Sequence, residues 1–100
     1  MTDPAPSGDP DVGSVTVRYW AAARSAAGVE VDLVVVSDDA TLADVLADVR
    51  LRHQARPRLA EVLSVCSVLV GDQPVGAVDP GAVRVRAGDS VELLPPFAGG

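Results

Sequence analysis

The sequence ends in "LLPPFAGG", where the reactive group would be the backbone itself, because the last two residues have no side chain. Gly99 and Gly100 carry no Cβ, so their backbone can pass through a narrow channel and adopt almost any φ angle. Pro95 and Pro96 restrict φ and bias the stem toward extended polyproline geometry, which reduces the entropy lost on insertion. Extended, the segment 95–100 reaches about 20 Å. The pattern predicts a stiff stem with a bare tip that can enter the active site of a neighbouring protein.

Phe97 is the one large side chain in this tail. We expect it to anchor the tail's register in a partner's groove, because the adjacent prolines direct the chain away from its own domain. The alternative is that Phe97 folds back and covers its own sheet.

The rest of the sequence offers little further chemistry. It contains no phosphate-binding loop, catalytic triad or metal-ligand motif. The lone His53 stands near the end of a predicted helix, which favours a surface or helix-dipole role over metal binding or catalysis. Cys66 is predicted to be a small buried apolar residue.

The composition describes one small acidic domain. One hundred residues, 48% of them apolar, suffice for one core but not for two. The net charge of −6, without a basic stripe, argues against nucleic acid and anionic membranes as partners, and favours a partner with a basic or mixed-charge surface. A single cysteine, and no signal peptide or membrane span, lead us to expect a cytoplasmic protein. All eight basic residues are arginines, so the chain cannot build isopeptide chains on its own lysines.

The first part of the chain predicts a leader followed by a β-hairpin. Residues 1–14 are rich in proline and aspartate and predict a disordered leader. Residues 15–20 alternate, with Tyr19 on one face and Trp20 on the other, and residues 29–36 form a second β-branched run. The short connection between them, a turn or a helical loop, predicts that the two strands pair.

The middle of the chain changes to the period of an amphipathic helix. The apolar stripe consists of Leu42, Val45, Leu46 and Val49. Thr41 and Asp44 resemble a capping box at the start of this helix. Pro57 stops the helix or begins a second, shorter one.

The remaining residues predict three strands. The first spans residues 66–70, the second is a short strand just before the Ala-Gly-Asp turn, and the third spans residues 91–94. A helix between an N-terminal hairpin and later strands predicts an α+β roll, with a mixed sheet of about five strands packed on one main helix. The domain would span residues 15–94, with the tail at 95–100. The predicted core consists of Val17, Tyr19, Leu33, Val35, Leu42, Val45, Leu46, Val49, Leu69, Val91 and Leu93.

Two motifs give the chain a family resemblance. The opening "YWAAAR" places an aromatic pair before Ala21 and Arg24, and the closing "GDSVELLPPFAGG" joins a Gly-Asp turn, a strand, two prolines and a terminal Gly-Gly. Together they resemble the β-grasp, ubiquitin-like sulfur carriers of the MoaD/ThiS family, most closely the MoaD type found as the small subunit of molybdopterin synthase. The resemblance covers residues 15–100. Trp20 departs from it, since the family more often has phenylalanine there.

The resemblance implies a sulfur carrier that is not a catalyst by itself. In the family, a ubiquitin-activating-like adenylyltransferase of the MoeB type uses ATP to adenylate the C-terminal carboxylate, here that of Gly100. Sulfur from a cysteine-derived donor then gives a thiocarboxylate, which passes its sulfur to a pyranopterin precursor held in a MoaE-like large subunit during molybdenum cofactor biosynthesis. No bound cofactor or metal is implied.

The resemblance also implies a surface for these partners. If the first and last strands are neighbours, as in the β-grasp fold, Trp20 and Leu94 form one exposed apolar patch at the root of the tail, which Pro74 extends. The alternative for Trp20 is packing against the alanine-rich residues 21–27.

Other functions remain open at this point. Carriers for thiamine-thiazole or cysteine synthesis share the Gly-Gly ending. A ubiquitin-like modifier of lysines on other proteins would use the same activation. A binding-only β-grasp module would need no reactive terminus.

Overall fold

The computed structural model describes residues 13–96, which form a five-stranded mixed sheet with three helices. The strand order is β2-β1-β5-β3-β4, and β1 and β5 are parallel while the other neighbours are antiparallel. This confirms the predicted α+β roll with a mixed sheet. In chain order the elements are β1 Gly13–Tyr19, α1 Ala21–Ala27, β2 Val31–Val36, α2 Leu42–Arg52, α3 Pro57–Leu63, β3 Ser67–Val70, β4 Gln73–Pro74, a 3₁₀ turn Pro80–Ala82 and β5 Ser90–Leu94.

The predicted N-terminal hairpin is confirmed, with β1 antiparallel to β2. Strand β1 begins at Gly13, two residues before the predicted start of the domain at Val15. Residues 1–12, most of the predicted leader, lie outside the described part of the chain.

The face assigned to β2 was wrong. Leu33 and Val35 were predicted to be buried, but they are 59% and 69% exposed, whereas Val34 and Val36 are buried. The register explains this, because the inward-facing Val15 and Val17 lie opposite Val34 and Asp32. β2 has apolar residues on both faces, so its alternation alone does not decide which face is buried.

The assignment of Leu69 to the core was also wrong. In β3, Leu69 pairs with Glu92 on the outward face and is half-buried, while Val68 and Val70 pair with the buried Leu93 and Val91. "SVLV" is apolar at consecutive positions, so only the register with β5 fixes which residues face inward.

The helices follow the local sequence signals closely. α2 begins with the predicted capping box, in which Thr41 Oγ1 accepts from the Asp44 N–H and Asp44 Oδ2 accepts from the Thr41 N–H. Pro57 begins α3. The segment predicted as a turn or helical loop is a full helix, α1, which ends at Gly28 with a φ of 79°. Glycine suits this left-handed position, and a Cβ there would also lie 2.9 Å from the Arg56 guanidinium carbon.

One predicted strand is absent from the described residues. The stretch before the Ala-Gly-Asp turn forms an isolated bridge between Thr41 and Arg84 and no ladder. The fifth strand is instead β4, which pairs with β3 across the turn at Gly71 and Asp72.

The core lies between the inner face of the sheet and the helices. The predicted stripe of α2 is fully or almost fully buried. Small residues of α1 allow that helix to pack closely on β1. Buried residues that were not in the predicted core are Val15, Ala23, Ala26, Ala27, Val34, Val36, Ala40, Leu59, Leu63 and Val85.

Two adjacent residues of β2 test the observed face. Val34→Ala should lower the free energy of unfolding by about 2 kcal/mol, because it removes buried methyl groups and leaves a cavity. Val35→Ala, one residue away on the exposed face, should change it by less than about 0.5 kcal/mol. Urea unfolding of both variants measures the difference, and equal losses would contradict the register of β1 and β2.

Candidate functional site

The parallel pairing of β1 with β5 brings the opening and closing motifs together. Tyr19 lies opposite Leu93, so Trp20 and Leu94 occupy the next positions on adjacent strands. The Trp20 N–H donates to the Leu93 carbonyl at 3.2 Å, which continues the ladder beyond the strand. The expectation that the first and last strands are neighbours is confirmed.

Trp20, Leu94 and Pro74 lie on the face of the sheet that the helices do not cover, and we call them the root patch. Trp20 is 44% exposed, Leu94 is half-buried and Pro74 is exposed. The strand register relates Pro74 to the other two residues. Leu69 of β3 pairs with Pro74 of β4 on one side and with Glu92 of β5 on the other, and Glu92 stands two residues before Leu94. Pro74 is two strands away from β5, or about 10 Å, so Trp20 and Leu94 form the centre of the patch and Pro74 its margin.

The stem of the tail leaves β5 directly beside this patch. Pro95 is half-buried and Pro96 is exposed. Phe97, Gly99 and Gly100 lie outside the described residues, so their predicted roles remain predictions. The described chain fixes where the stem begins, because Pro95 and Pro96 directly follow the end of β5.

Trp20 has two polar partners that the sequence analysis missed. Its Nε1–H donates to Glu92 Oε1 at 2.9 Å, and the Arg18 guanidinium carbon lies 6.0 Å from the centre of its ring. Arg18 and Glu92 are register partners on β1 and β5. Arg18 and Glu92 alternate with buried residues of the same strands, which predicts that each points outward. That they share one surface could be predicted only with the pairing of β1 and β5.

Tyr19, the other member of the aromatic pair, is held by a polar cluster on the inner side of the sheet. The Tyr19 hydroxyl donates to Asp32 Oδ2 at 2.8 Å, and His53 Nε2 lies 2.7 Å from the same oxygen. Arg52 Nη1 lies 3.5 Å from Asp32 Oδ1 and donates to the Leu33 carbonyl at 3.0 Å. The rings of Tyr19 and His53 meet edge to face. His53 therefore joins α2 to the sheet. With a side chain only 10% exposed, it is not a surface residue, so that part of the prediction was wrong, while its position at the C-terminal end of α2 agrees with the helix-dipole alternative.

The protonation states in this cluster support its geometry. Burial alone would raise the pKa of Asp32, but hydrogen bonds from His53 and Tyr19 and the charges of His53 and Arg52 outweigh it and hold that pKa below its ordinary value. Burial, followed by the hydrogen bond and charge of Asp32, raises the pKa of Tyr19 well above its ordinary value. Asp32 is thus an ionised acceptor, and Tyr19 stays a protonated donor at neutral pH.

Cys66 is a further candidate for reactivity in the described chain. Cys66 precedes β3, is half-buried, and packs against the core. Burial raises the pKa of its thiol, which disfavours the nucleophilic thiolate. Between residues 13 and 96, no three histidine, cysteine, aspartate or glutamate side chains come together as metal ligands would.

Solved structures of similar proteins share this fold. SAMP1 from Haloferax volcanii, a small archaeal modifier protein, is 28% identical, with a TM-score of 0.71 over 88% of this chain and 100% of that one. A complex of subunits 1 and 2 of molybdopterin-converting factor from Helicobacter pylori contains a chain that is 26% identical, with a TM-score of 0.55 over 87% of this chain and 99% of that one. The fold thus defines a ubiquitin-like β-grasp protein.

Sequence comparison narrows this class. The model of the ThiS family matches residues 17–100. A molybdopterin synthase sulfur carrier subunit from Chlamydomonas reinhardtii is 31% identical over 86 residues, which cover 86% of this chain and 98% of that relative. The chain belongs to the ThiS family, and the resemblance seen in its two motifs is confirmed. Among the helices of the described chain, none has the length and apolar character needed to cross a membrane.

The Asp32 cluster gives stability a defined pH dependence. Because the pKa of folded Asp32 lies below its ordinary value of about 4, its stabilisation is present above that pH and is lost as pH falls through the folded pKa. Asp32→Asn should lower the free energy of unfolding by about 2 kcal/mol at neutral pH.

The difference between wild type and Asp32→Asn should narrow below a pH of about 4, as measured by urea unfolding at a series of pH values. Asp38→Asn, in an exposed turn, is the matched control and should show little difference at any pH. A difference for Asp32→Asn that stays constant into the acid range would show that the carboxylate charge is not the stabilising element.

Proposed function

We propose that this chain is the sulfur-carrying small subunit of a molybdopterin synthase, and that Gly100 bears the reactive carboxylate. The similarity to the Chlamydomonas reinhardtii sulfur carrier subunit, over nearly that whole protein, is the observation that carries this proposal. The Helicobacter pylori complex supports a large subunit as the partner. The exposed root patch beside the stem supplies a surface on which such a subunit could dock while the tail enters its active site.

The proposed chemistry follows from the weakness of a carboxylate as an electrophile. An activating enzyme transfers AMP from ATP to the Gly100 carboxylate and releases pyrophosphate. Hydrosulfide supplied by a cysteine-derived donor attacks the acyl carbon and displaces AMP, leaving a thiocarboxylate. In the large subunit this sulfur displaces an oxygen substituent from a carbon of the pyranopterin precursor. Water then cleaves the acyl–sulfur bond, which regenerates the carboxylate and leaves the sulfur on the precursor. Since the product dithiolene contains two sulfurs, two charged carriers are consumed for each product molecule. The need for ATP and reduced sulfur leads us to place this cycle in the cytoplasm.

The chain's own residues present the tail and do not catalyse. The thiocarboxylate is an anion, and no cationic side chain occurs in residues 95–100, so the partners must supply the positive groups around it. The chain therefore contributes docking, reach and a tip slender enough for a narrow channel.

A second function is favoured by one specific observation, the similarity to SAMP1. A modifier would use the same adenylation but form an amide with a lysine of another protein. A third possibility is a sulfur carrier for thiamine-thiazole or cysteine synthesis. Membership of the ThiS family, together with the resemblance seen in the sequence, keeps this possibility open. These functions differ in the acceptor, so the acceptor must be part of the test.

Intact mass spectrometry tests the proposal directly. After incubation with ATP, a sulfur donor and the activating enzyme, the chain should exchange one C-terminal oxygen for sulfur. Addition of the large subunit with precursor should then restore the original mass and form dithiolene. Deletion of Gly100, or one added residue after it, should abolish both steps without changing urea unfolding. Unchanged mass in an assay that charges a known carrier would contradict the proposal, and amide conjugates on target lysines would favour the modifier.

The root patch makes a separate prediction about docking. Trp20→Ala should weaken binding to the large subunit at least tenfold, because buried tryptophans carry much of the energy of interfaces. The same substitution should change the free energy of unfolding by less than about 1 kcal/mol, since the indole is half-exposed. Leu51→Ala, an exposed apolar residue of α2, is the control and should affect neither. A larger loss of stability than of binding would place Trp20 among the core residues.

A further inference from the structure

The contact between Trp20 and Glu92 joins the two motifs on which the docking surface depends. The residues are 72 positions apart, yet the indole Nε1–H donates to Glu92 Oε1 at 2.9 Å across the β1–β5 ladder. The bond lies on the helix-free face of the sheet, beside the end of β5 from which the tail departs. A hydrogen bond in this place acts on the docking surface more than on the core.

The backbone of Trp20 is already fixed on both sides. Its N–H donates to the Leu93 carbonyl at 3.2 Å, and its own carbonyl accepts from the Ala23 N–H at 2.9 Å. Ala21, the next residue, has a φ of 49°, an uncommon left-handed conformation for a residue with a side chain. With the backbone held, the orientation of the indole depends on its two side-chain torsions alone.

Glu92 and Arg18 act on those torsions. A half-exposed indole without polar partners would sample several rotamers, and a partner would have to select one of them. The Glu92 acceptor fixes the edge of the ring, and Arg18, 6.0 Å from the ring centre, approaches from the neighbouring position of β1. The arrangement holds the indole in one orientation before any partner arrives.

We propose that Glu92 is a positioning residue that holds Trp20 in its docking orientation, so that the root patch is preorganised for the large subunit. The inference rests on the proposed function, because it concerns the same docking surface. Glu92 acts through the hydrogen-bond acceptor at its tip and not through its charge. The immobilisation of one large side chain before binding corresponds to an affinity gain of about fivefold.

Two substitutions separate the acceptor from the charge. Glu92→Ala removes both, whereas Glu92→Gln keeps a carbonyl oxygen that can accept from the indole. Glu61→Ala is the matched control, because Glu61 is an exposed glutamate on α3, on the helix side of the molecule. Urea unfolding of each variant verifies that the fold is retained.

The first measurement needs no partner. Trp20 is the only tryptophan, so time-resolved fluorescence anisotropy reports its motion alone. Glu92→Ala should increase the amplitude of fast indole motion, while Glu92→Gln and Glu61→Ala should resemble wild type. Equal indole motion in all four proteins, or equal mobility in both Glu92 variants, would overturn the positioning role.

The second measurement is titration of each protein with the large subunit. Glu92→Ala should bind about fivefold more weakly, and Glu92→Gln should remain within twofold of wild type. If wild type binds and Glu92→Ala binds equally well despite a mobile indole, the inference is wrong while the proposed function stands. If Glu92→Gln loses as much affinity as Glu92→Ala, the charge is what matters and the inference is again wrong. If wild type does not bind at all, the proposed function fails and the docking role of Glu92 fails with it.

Discussion

The parallel ladder between β1 and β5 is the constraint on which the rest of the structure depends. It pairs Thr16 with Ser90 and continues to Tyr19 and Leu93, so that two segments from opposite ends of the chain become neighbours. The buried members of both strands face the helices, and the outward members form the surface at the root of the tail. Without this ladder, the opening aromatic motif and the closing proline motif would have no structural relation.

The aromatic pair at the end of β1 is fixed from both faces of the sheet. On the inner face, Tyr19 of β1 and His53 at the end of α2 both contact Asp32, which links the sheet to that helix. On the outer face, Trp20 is held by Glu92 of the neighbouring strand. Two adjacent residues with opposite surroundings therefore connect the packing of the core to the geometry of the root patch.

The sequence predicted most where local chemistry decides the structure, as in the capping box of Thr41 and the alternation of β1. The sequence did not predict which face of an apolar strand is buried when that depends on the pairing with a neighbouring strand. In β2, the residues predicted to be buried are the exposed ones. A carboxylate at position 32 argues for solvent exposure, and only the bonds from Tyr19 and His53 explain its inward position. The outward positions of Trp20 and Leu94 followed from alternation and family resemblance. The contact of Trp20 with Glu92 could not be predicted, because it spans 72 residues and depends on the strand order.

The direction in which the stem leaves the domain has a mechanical consequence. The stem continues β5, and β5 is bonded on one side to β1 and on the other to β3. Under the proposed function, a partner that pulled on the chain along the direction of β5 would strain the hydrogen bonds of both ladders together in shear, whereas a pull at right angles on an edge strand would separate its bonds one after another. The central position of β5 would therefore make two ladders, and not one, resist such a pull.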